Sequence, residues 1–580
     1  MLILFGFVLT ATIVRGVFII DEDNYLVSVV GLRHGQLTVP GTEGLTPSNE
    51  LVYFDPEARQ RVIQSTPVVS LVPPLYAFVA FPFSYAGWGG LVFLNILSFL
   101  VSIYLIFVYV QGLSQQRLTP WVAAILFALG GYCIEYAQGM WPQMLSVVLC
   151  TGTLFLCLRA RQHSAVSNAL FGGMLIGLAT GIREQNIFFA GCVALGLLVF
   201  GEKKFRIVAA YAAGLIVLLA VIATLNYYRL GIWHPFPKVG TYSQEVAAST
   251  QGVSVLEPLR VFWAKVVDYA SYGPNTAHIR TGYYQWDESS GTTLMNGIIK
   301  KSWIQSSPWI GLTLIGLVVV WFRRKTDTNA QSREIKVLGL IVIPTLLMFS
   351  AAGFDRTDGL SFNQRYFLEL LPLCAIAAAL YLDRIQFNIL QVGVGFVVGL
   401  LAVVGVLLLP STTARHVGER FVPLLIALAL IGVWFLVNNP RATTLILGVC
   451  VGWAFLFHIE SDLVGSRFRR HINAEKLQFL EKVIPDHSAL FTYWGNKDAA
   501  GPLQLTRDVV ILDTWADDGK DAVVLDKELE ARDRTICVLE NDMPDGLIHA
   551  LASDGSLREF SDTNLKIIEI LGREKPALGE

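Results

Sequence analysis

Three carboxylates stand in a row where an apolar run gives way to polar sequence, in IIDEDNYL: Asp21, Glu22 and Asp23. A carboxylate at such a boundary can act as a general base, because low-dielectric walls raise its pKa toward the operating pH. The same oxygens are hard ligands, so Asp21 and Asp23 can also hold a divalent cation. Acids equally mark the aqueous end of a membrane helix with no chemistry attached. Glu135, in GGYCIEYAQGMWPQ, is a fourth acid at an apolar-to-polar boundary and is open to the site and helix-end readings alike. Two arginines join the set: Arg183 follows GLATG, and Arg365 precedes Tyr366 in NQRYFLELLP. A guanidinium is a planar, permanently charged fork suited to phosphate oxygens. Glu184 and Glu369 offer these arginines the alternative of an ion pair. His34, His234 and His278 lack H-E-x-x-H or comparable spacing, so surface or packing roles are expected and metal binding is not.

Membrane helices must position these groups. Of 580 residues, 53% are hydrophobic and 16% charged, against about 25% charged in a soluble domain. Lipid is therefore the solvent for most of the chain. A net charge of -2 leaves no basic surface broad enough to neutralise a nucleic-acid backbone, which excludes that partner. Apolar runs of the length that crosses a bilayer as a helix recur through the first three-quarters of the sequence. About thirteen are counted: 2–20, 88–110, 119–135, 142–158, 166–182, 186–200, 207–226, 305–322, 336–352, 366–382, 390–409, 421–437 and 442–458. The first lacks the basic flank and A-x-A-like exit of a signal peptide and is read as a retained helix, in which Arg15 must snorkel or find an acid. Six of the seven cysteines fall in apolar runs and only Cys537 in a polar region, so no disulfide framework or CxxC metal site is implied.

Loop charge sets the orientation. One set of alternate loops holds Arg117, Arg159, Arg161, Lys203, Lys204, Arg206, Arg323, Arg324, Lys325, Arg333, Lys336, Arg384 and Arg441, which makes that face cytoplasmic. The other face receives the segments 21–87, 227–304, 353–365 and everything after residue 458. Within the first of these, PVVSLVPPLYAFVAFPF (67–83) is interrupted by Pro73, Pro74 and Pro82 and is expected to dip into the interface rather than span. The aromatics of 227–304, including Tyr227, Tyr228, Trp233, Trp263 and Trp286, suit an interfacial belt or sugar stacking. After residue 458 a helix-like AEKLQFLEKVIP is followed by strand-like SALFTYW, DVVILD and TICVLE, with charged KELEARD between the last two. This alternation predicts a small extracytoplasmic α/β domain over 459–580, attached to a transmembrane domain over 1–458. It has no G-x-G-x-x-G and no phosphate loop, so nucleotide binding is unsupported.

In their order and common placement these residues resemble the GT-C superfamily of membrane glycosyltransferases, of the protein O-mannosyltransferase and lipid A aminoarabinose transferase type. The family's D-E-x-x-Y/F element is matched by Asp21-Glu22-Asp23-Asn24-Tyr25, and its G-x-L element by His34-Gly35-Gln36-Leu37. Its P-P-L-Y stretch is matched by Pro73-Pro74-Leu75-Tyr76, and its R-Y-x-x-x-x-x-P element by Arg365, Tyr366 and Pro372. The match covers residues 1 to about 400, and it departs at Glu135, where the family often has Asp. The resemblance implies a GT-C-like helical fold in a bacterial inner membrane. It also implies inverting transfer of a hexosyl or pentosyl group from a polyprenyl-phosphate donor to a hydroxyl of a glycan, lipid or protein acceptor. Asp21 would be the base, Glu22 would orient it or the acceptor, and Arg183 and Arg365 would stabilise charge on the departing lipid phosphate. Glu135, His34 and Tyr366 would belong to the same substrate- and lipid-phosphate-binding set, with a divalent cation left open.

Two other function classes fit the same sequence. A transporter or flippase of lipid-linked glycans would account for the many helices and Arg15, but would bring discontinuous midplane helices and two-fold repeats, which the sequence does not display. A non-catalytic scaffold of glycan assembly would bind polyprenyl phosphate without releasing it from sugar.

Overall fold

A backbone in lipid must satisfy its own hydrogen bonds, so each long apolar run closes into a helix. The computed structural model describes residues 2–18, 20–38, 72–201, 203–236, 303–322, 330–351, 365–383, 387–437, 439–492, 496, 499–513, 535–539, 556–562 and 565–571. Over these the chain forms α1 (Leu2–Ala11), α2 (Ile20–Arg33), α3 (Leu75–Ser84), α4 (Gly87–Gln111), α5 (Thr119–Ala128), α6 (Cys133–Ala137), α7 (Gln143–His163), α8 (Val166–Ile182) and α9 (Asn186–Phe200). There follow α10 (Lys204–Leu230), α11 (Trp303–Ser306), α12 (Ile310–Phe322), α13 (Ala330–Ala351), α14 (Leu371–Leu382), α15 (Ile389–Leu407), α16 (Thr412–Gly432), α17 (Pro440–Phe457) and α18 (Val464–Val483). Among the described residues seven helices are long and apolar enough to cross a membrane, beside shorter apolar ones. The protein is therefore a mostly helical, multi-span membrane protein. A 3-10 turn, Arg365–Leu370, leads into α14, whose residues are almost all buried at the centre of the bundle. At the periphery α15 and α16 turn Leu401, Leu425 and Leu428 outward, as lipid-facing helices do.

Each of the thirteen expected runs contains helix, but several break where the sequence reading made them continuous. The first run stops at Ala11 instead of residue 20. Gly16 takes a φ of +127°, and helix resumes at Ile20. Arg15 thus lies in a connection instead of inside a membrane helix, where its guanidinium meets Glu481 at 2.9 Å. The acid it needed is on α18, near the other end of the sequence. The three acids consequently open the first turn of α2, where the helix dipole favours negative charge. The run 119–135 is split at Gly130-Gly131, where Trp309 Nε1 donates to Gly130 O at 2.7 Å. Pro308 separates α11 from α12 in the same way. The proline-rich stretch yields only α3, ten residues with Pro82 inside, about 15 Å long against a hydrocarbon core of about 30 Å. Too short to cross, it packs Tyr76, Ala77 and Ala80 inward. Residues 67–71, Trp263, Trp286 and the loop 353–364 lie outside the described residues.

The expected domain boundary falls inside one rod. α17 continues through a π-helical stretch, His458–Leu463, into α18, making 44 uninterrupted helical residues from Pro440 to Val483. Beyond it lie β1 (Ser488–Thr492), a 3-10 turn Gly501–Leu505, β2 (Val509–Asp513), β3 (Thr535–Leu539), β4 (Ser556–Asp562) and β5 (Leu565–Leu571). The strand order is β2-β1-β3-β5-β4, with β1 parallel to both its neighbours and β5 antiparallel to β3 and β4. The three strands read from the sequence are present, and the added β4–β5 pair makes the sheet mixed. Leu477 and Leu480 from the rod, with Ile484 just past its end, close its core against Leu490, Ile511, Leu539 and Ile567.

Candidate active site

Glu22, in the first turn of α2, is fully buried and receives four hydrogen bonds. Arg470, on α18, grips it at two points: Nη2 donates to Oε1 at 2.6 Å and Nη1 to Oε2 at 2.9 Å. The Phe18 amide donates to Oε2 at 2.7 Å and the Met140 amide to Oε1 at 3.0 Å. A planar fork on a carboxylate is the strongest common form of charge-assisted pair. The approach requires glycine at 139, because a Cβ there would stand 2.6 Å from Glu22 Oε1 and 2.7 Å from Arg470 Nη2. Asn95 Nδ2 holds the same strip of chain by donating to Gly139 O and Trp141 O, both at 2.7 Å. Tyr76 OH donates to Met140 O at 3.1 Å and sets its ring edge-on to Tyr25, one turn beyond Glu22.

Met140 faces Glu22, and the next residue faces the arginines. Arg365 lies 5.5 Å from the Trp141 ring and 5.1 Å from the Tyr366 ring, and Arg183 approaches the same tyrosine at 5.6 Å. Arg183, at the end of α8, is buried and pairs with Glu369 at 2.8 Å, while its Nη1 also donates to Arg365 O at 3.4 Å. With its amide oxygen turned inward, Gln185 accepts from Arg183 Nε and Nη2. Glu369 Oε1 accepts in addition from Ser146 Oγ at 2.7 Å, and Asn186 Nδ2 donates to Ser146 at 2.7 Å. Guanidiniums set over aromatic rings are groups that suit a phosphate oxygen.

The structure thus brings Arg183, Arg365 and Tyr366 into contact and links them to Glu22 through Met140-Trp141. Asp21 belongs to the same helical turn as Glu22, and its side chain lies outside what the structure describes. Asp23 is buried, its carboxylate set directly against Gly501 of the C-terminal unit, where a Cβ would overlap Asp23 Oδ1. Glu135 is buried in α6, whose Tyr136 stacks on Trp141 with centroids 5.7 Å apart. His34 is not brought in. It is exposed just past the far end of α2, twelve residues and so about 18 Å along the helix from Glu22. Among the described residues no three His, Cys, Asp or Glu side chains gather as metal ligands. Sequence reasoning missed Arg470, Asn95 and Trp141. In the sequence Arg470 is one of three arginines, with Arg467 and Arg469, and nothing local says that it turns back on Glu22.

No sequence-family model matches the chain, and comparison with curated proteins yields no match. Solved structures do match. ArnT from Cupriavidus metallidurans bound to undecaprenyl phosphate superposes with a TM-score of 0.54 at 15% identity, over 98% of this chain and 97% of that one. The chain has the fold of the GT-C membrane glycosyltransferases. The apo state of the same ArnT gives 0.50 at 14% identity over the same shares of both chains. The arabinosyltransferase EmbB from Mycobacterium smegmatis gives 0.41 at 14%, over 83% of this chain and 40% of that one. The GT-C likeness spans both the membrane helices and the C-terminal sheet, since the coverage is nearly complete on both sides.

Proposed function

We propose that this protein transfers a sugar from a polyprenyl-phosphate donor to an acceptor hydroxyl, with inversion, on the outer face of a bacterial inner membrane. One observation carries the reading: on a GT-C fold, an acid-bearing helix turn and a buried arginine–aromatic cluster meet on opposite sides of Met140-Trp141. In this mechanism the acceptor oxygen attacks the anomeric carbon, the bond to the lipid phosphate oxygen breaks, and Asp21 takes the hydroxyl proton. Arg365 meets the negative charge that develops on the departing phosphate, and Arg183 holds it there through its backbone carbonyl and the shared Tyr366. Glu22, with four donors on its two oxygens, orients the turn that carries Asp21. The shorter apolar helices pack with the seven long ones in the membrane bundle, and residues 459–580 face outward with the long loops.

Purified protein in liposomes with an undecaprenyl-phosphate-linked sugar and acceptor on one side tests this. Release of free undecaprenyl phosphate coupled to glycosylated acceptor is the expected result, reduced at least tenfold by Arg365→Ala. Movement of intact lipid-linked sugar between leaflets, with no release, would instead make the protein a flippase.

A further inference from the structure

The helix that carries the acids is held by the opposite end of the chain. Glu481 takes Arg15 at 2.9 Å, Asn473 Nδ2 donates to Val17 O at 2.6 Å, and Arg470 Nη1 donates to Gly16 O at 2.8 Å as well as gripping Glu22. Gly501 seats Asp23, and at the far end of α2 Arg33 Nη1 donates to Leu505 O at 2.6 Å. Every one of these partners lies after residue 458, in α18 or the 3-10 turn that follows β1. The contacts run from the connection before α2 to its last residue, so the helix is docked along its length.

We infer that Arg470 is a positioning residue for the acid site, and that the C-terminal unit sets the place of α2's first turn by holding Glu22 at two points. The role of Asp21 in this inference rests on the glycosyltransferase reading; the docking does not. A buried ion pair is seldom the most stable filling for its space, since apolar side chains of similar volume serve as well or better. What the pair supplies is direction. Two parallel hydrogen bonds fix the Glu22 carboxylate in the plane of the guanidinium, whereas an ammonium at the same position would attract it without fixing its rotation. The Phe18 and Met140 amides fix the same oxygens from the membrane unit, so the carboxylate is the joint at which both units register.

The full-length protein carrying Glu22→Leu with Arg470→Met, and separately Arg470→Lys, tests the inference. Thermal midpoint, donor KM, kcat and amide exchange of the segment 18–33 are measured on each. The double variant removes both charges together and is expected to fold with a lowered midpoint, since the Phe18 and Met140 amides lose their acceptor, and to keep its donor KM while kcat falls at least tenfold and exchange of the first turn of α2 speeds at least tenfold. Arg470→Lys, which keeps the charge and loses the fork, should lose kcat in the same direction with wild-type KM. It carries the test by itself if the double variant does not fold. A kcat within twofold of wild type in either folded variant overturns the positioning role. If the wild type transfers no sugar, the glycosyltransferase reading fails separately, and exchange decides the docking: wild-type protection of α2 in the variants overturns it, and loss of protection upholds it.

Discussion

Glu22 illustrates how little a residue type says before its partners are known. As a sequence feature it was one of three adjacent acids, open to site and helix-end readings alike, with an orienting role implied only by resemblance. In the fold it is an acceptor with both oxygens occupied, 448 positions from its main partner. No local pattern encodes such a separation, so the acid was legible and its role was not. Arg183 is the converse case. Its ion-pair reading describes the structure, with Glu369 as the partner, and Arg365 opens the same 3-10 turn that carries this glutamate. At this scale the sharpest prediction concerns Gly139. Gly139→Ala forces a methyl group between Glu22 and Arg470, and breaking a buried pair costs about 3–5 kcal/mol. A lowered thermal midpoint and at least tenfold slower transfer are expected, and an alanine variant with wild-type stability and rate would show that the strip can move aside.

Among the elements, the rod from Pro440 to Val483 does most to unite the molecule, since one helix leaves the membrane bundle and delivers Arg470 to the acid site. Its phase is therefore critical. A single alanine inserted after Leu463 turns α18 by about 100° and carries Arg470 off Glu22. The expected outcome is loss of transfer with the membrane bundle still folded, measured as retained detergent-extracted monomer with kcat down at least tenfold; undiminished turnover would mean that α18 finds its register by other contacts. Elements of this length were the part of the fold best read from sequence: 166–182 and 186–200 coincide with α8 and α9, because continuous apolarity leaves a chain in lipid no alternative to helix. The breaks were read less well. Gly130-Gly131 and Pro308 look tolerable inside an apolar run, and what ends the helices there is tertiary, as the Trp309 indole bond to Gly130 O shows. The β4–β5 pair was missed for a different reason. LKIIEIL alternates only in part, and its pairing partner SLREFSD is too polar to read as a strand unaided.

Over the whole molecule, composition fixed lipid as the solvent, loop charge proposed an orientation, and the likeness to ArnT supplies the arrangement of the helices. The orientation is open to a direct check. All seven native cysteines are buried, and burial pushes the Cys537 thiol up to about 12, so it stays neutral and unreactive at labelling pH. Glu559→Cys, on the exposed edge strand β4, should then react with an impermeant maleimide in intact cells. Lys204→Cys, at the start of α10, should react only after permeabilisation; the reverse pattern would invert the topology and put the acid site on the cytoplasmic face. Proton abstraction by the turn that carries Asp21 is the step on which the proposed sugar transfer from a polyprenyl phosphate depends. Its most direct test is release of undecaprenyl phosphate by Asp21→Asn protein in the liposome assay. Asp21→Asn protein should fold, bind donor as the wild type does and release at least a hundredfold more slowly; release at the wild-type rate would mean that another group takes the proton.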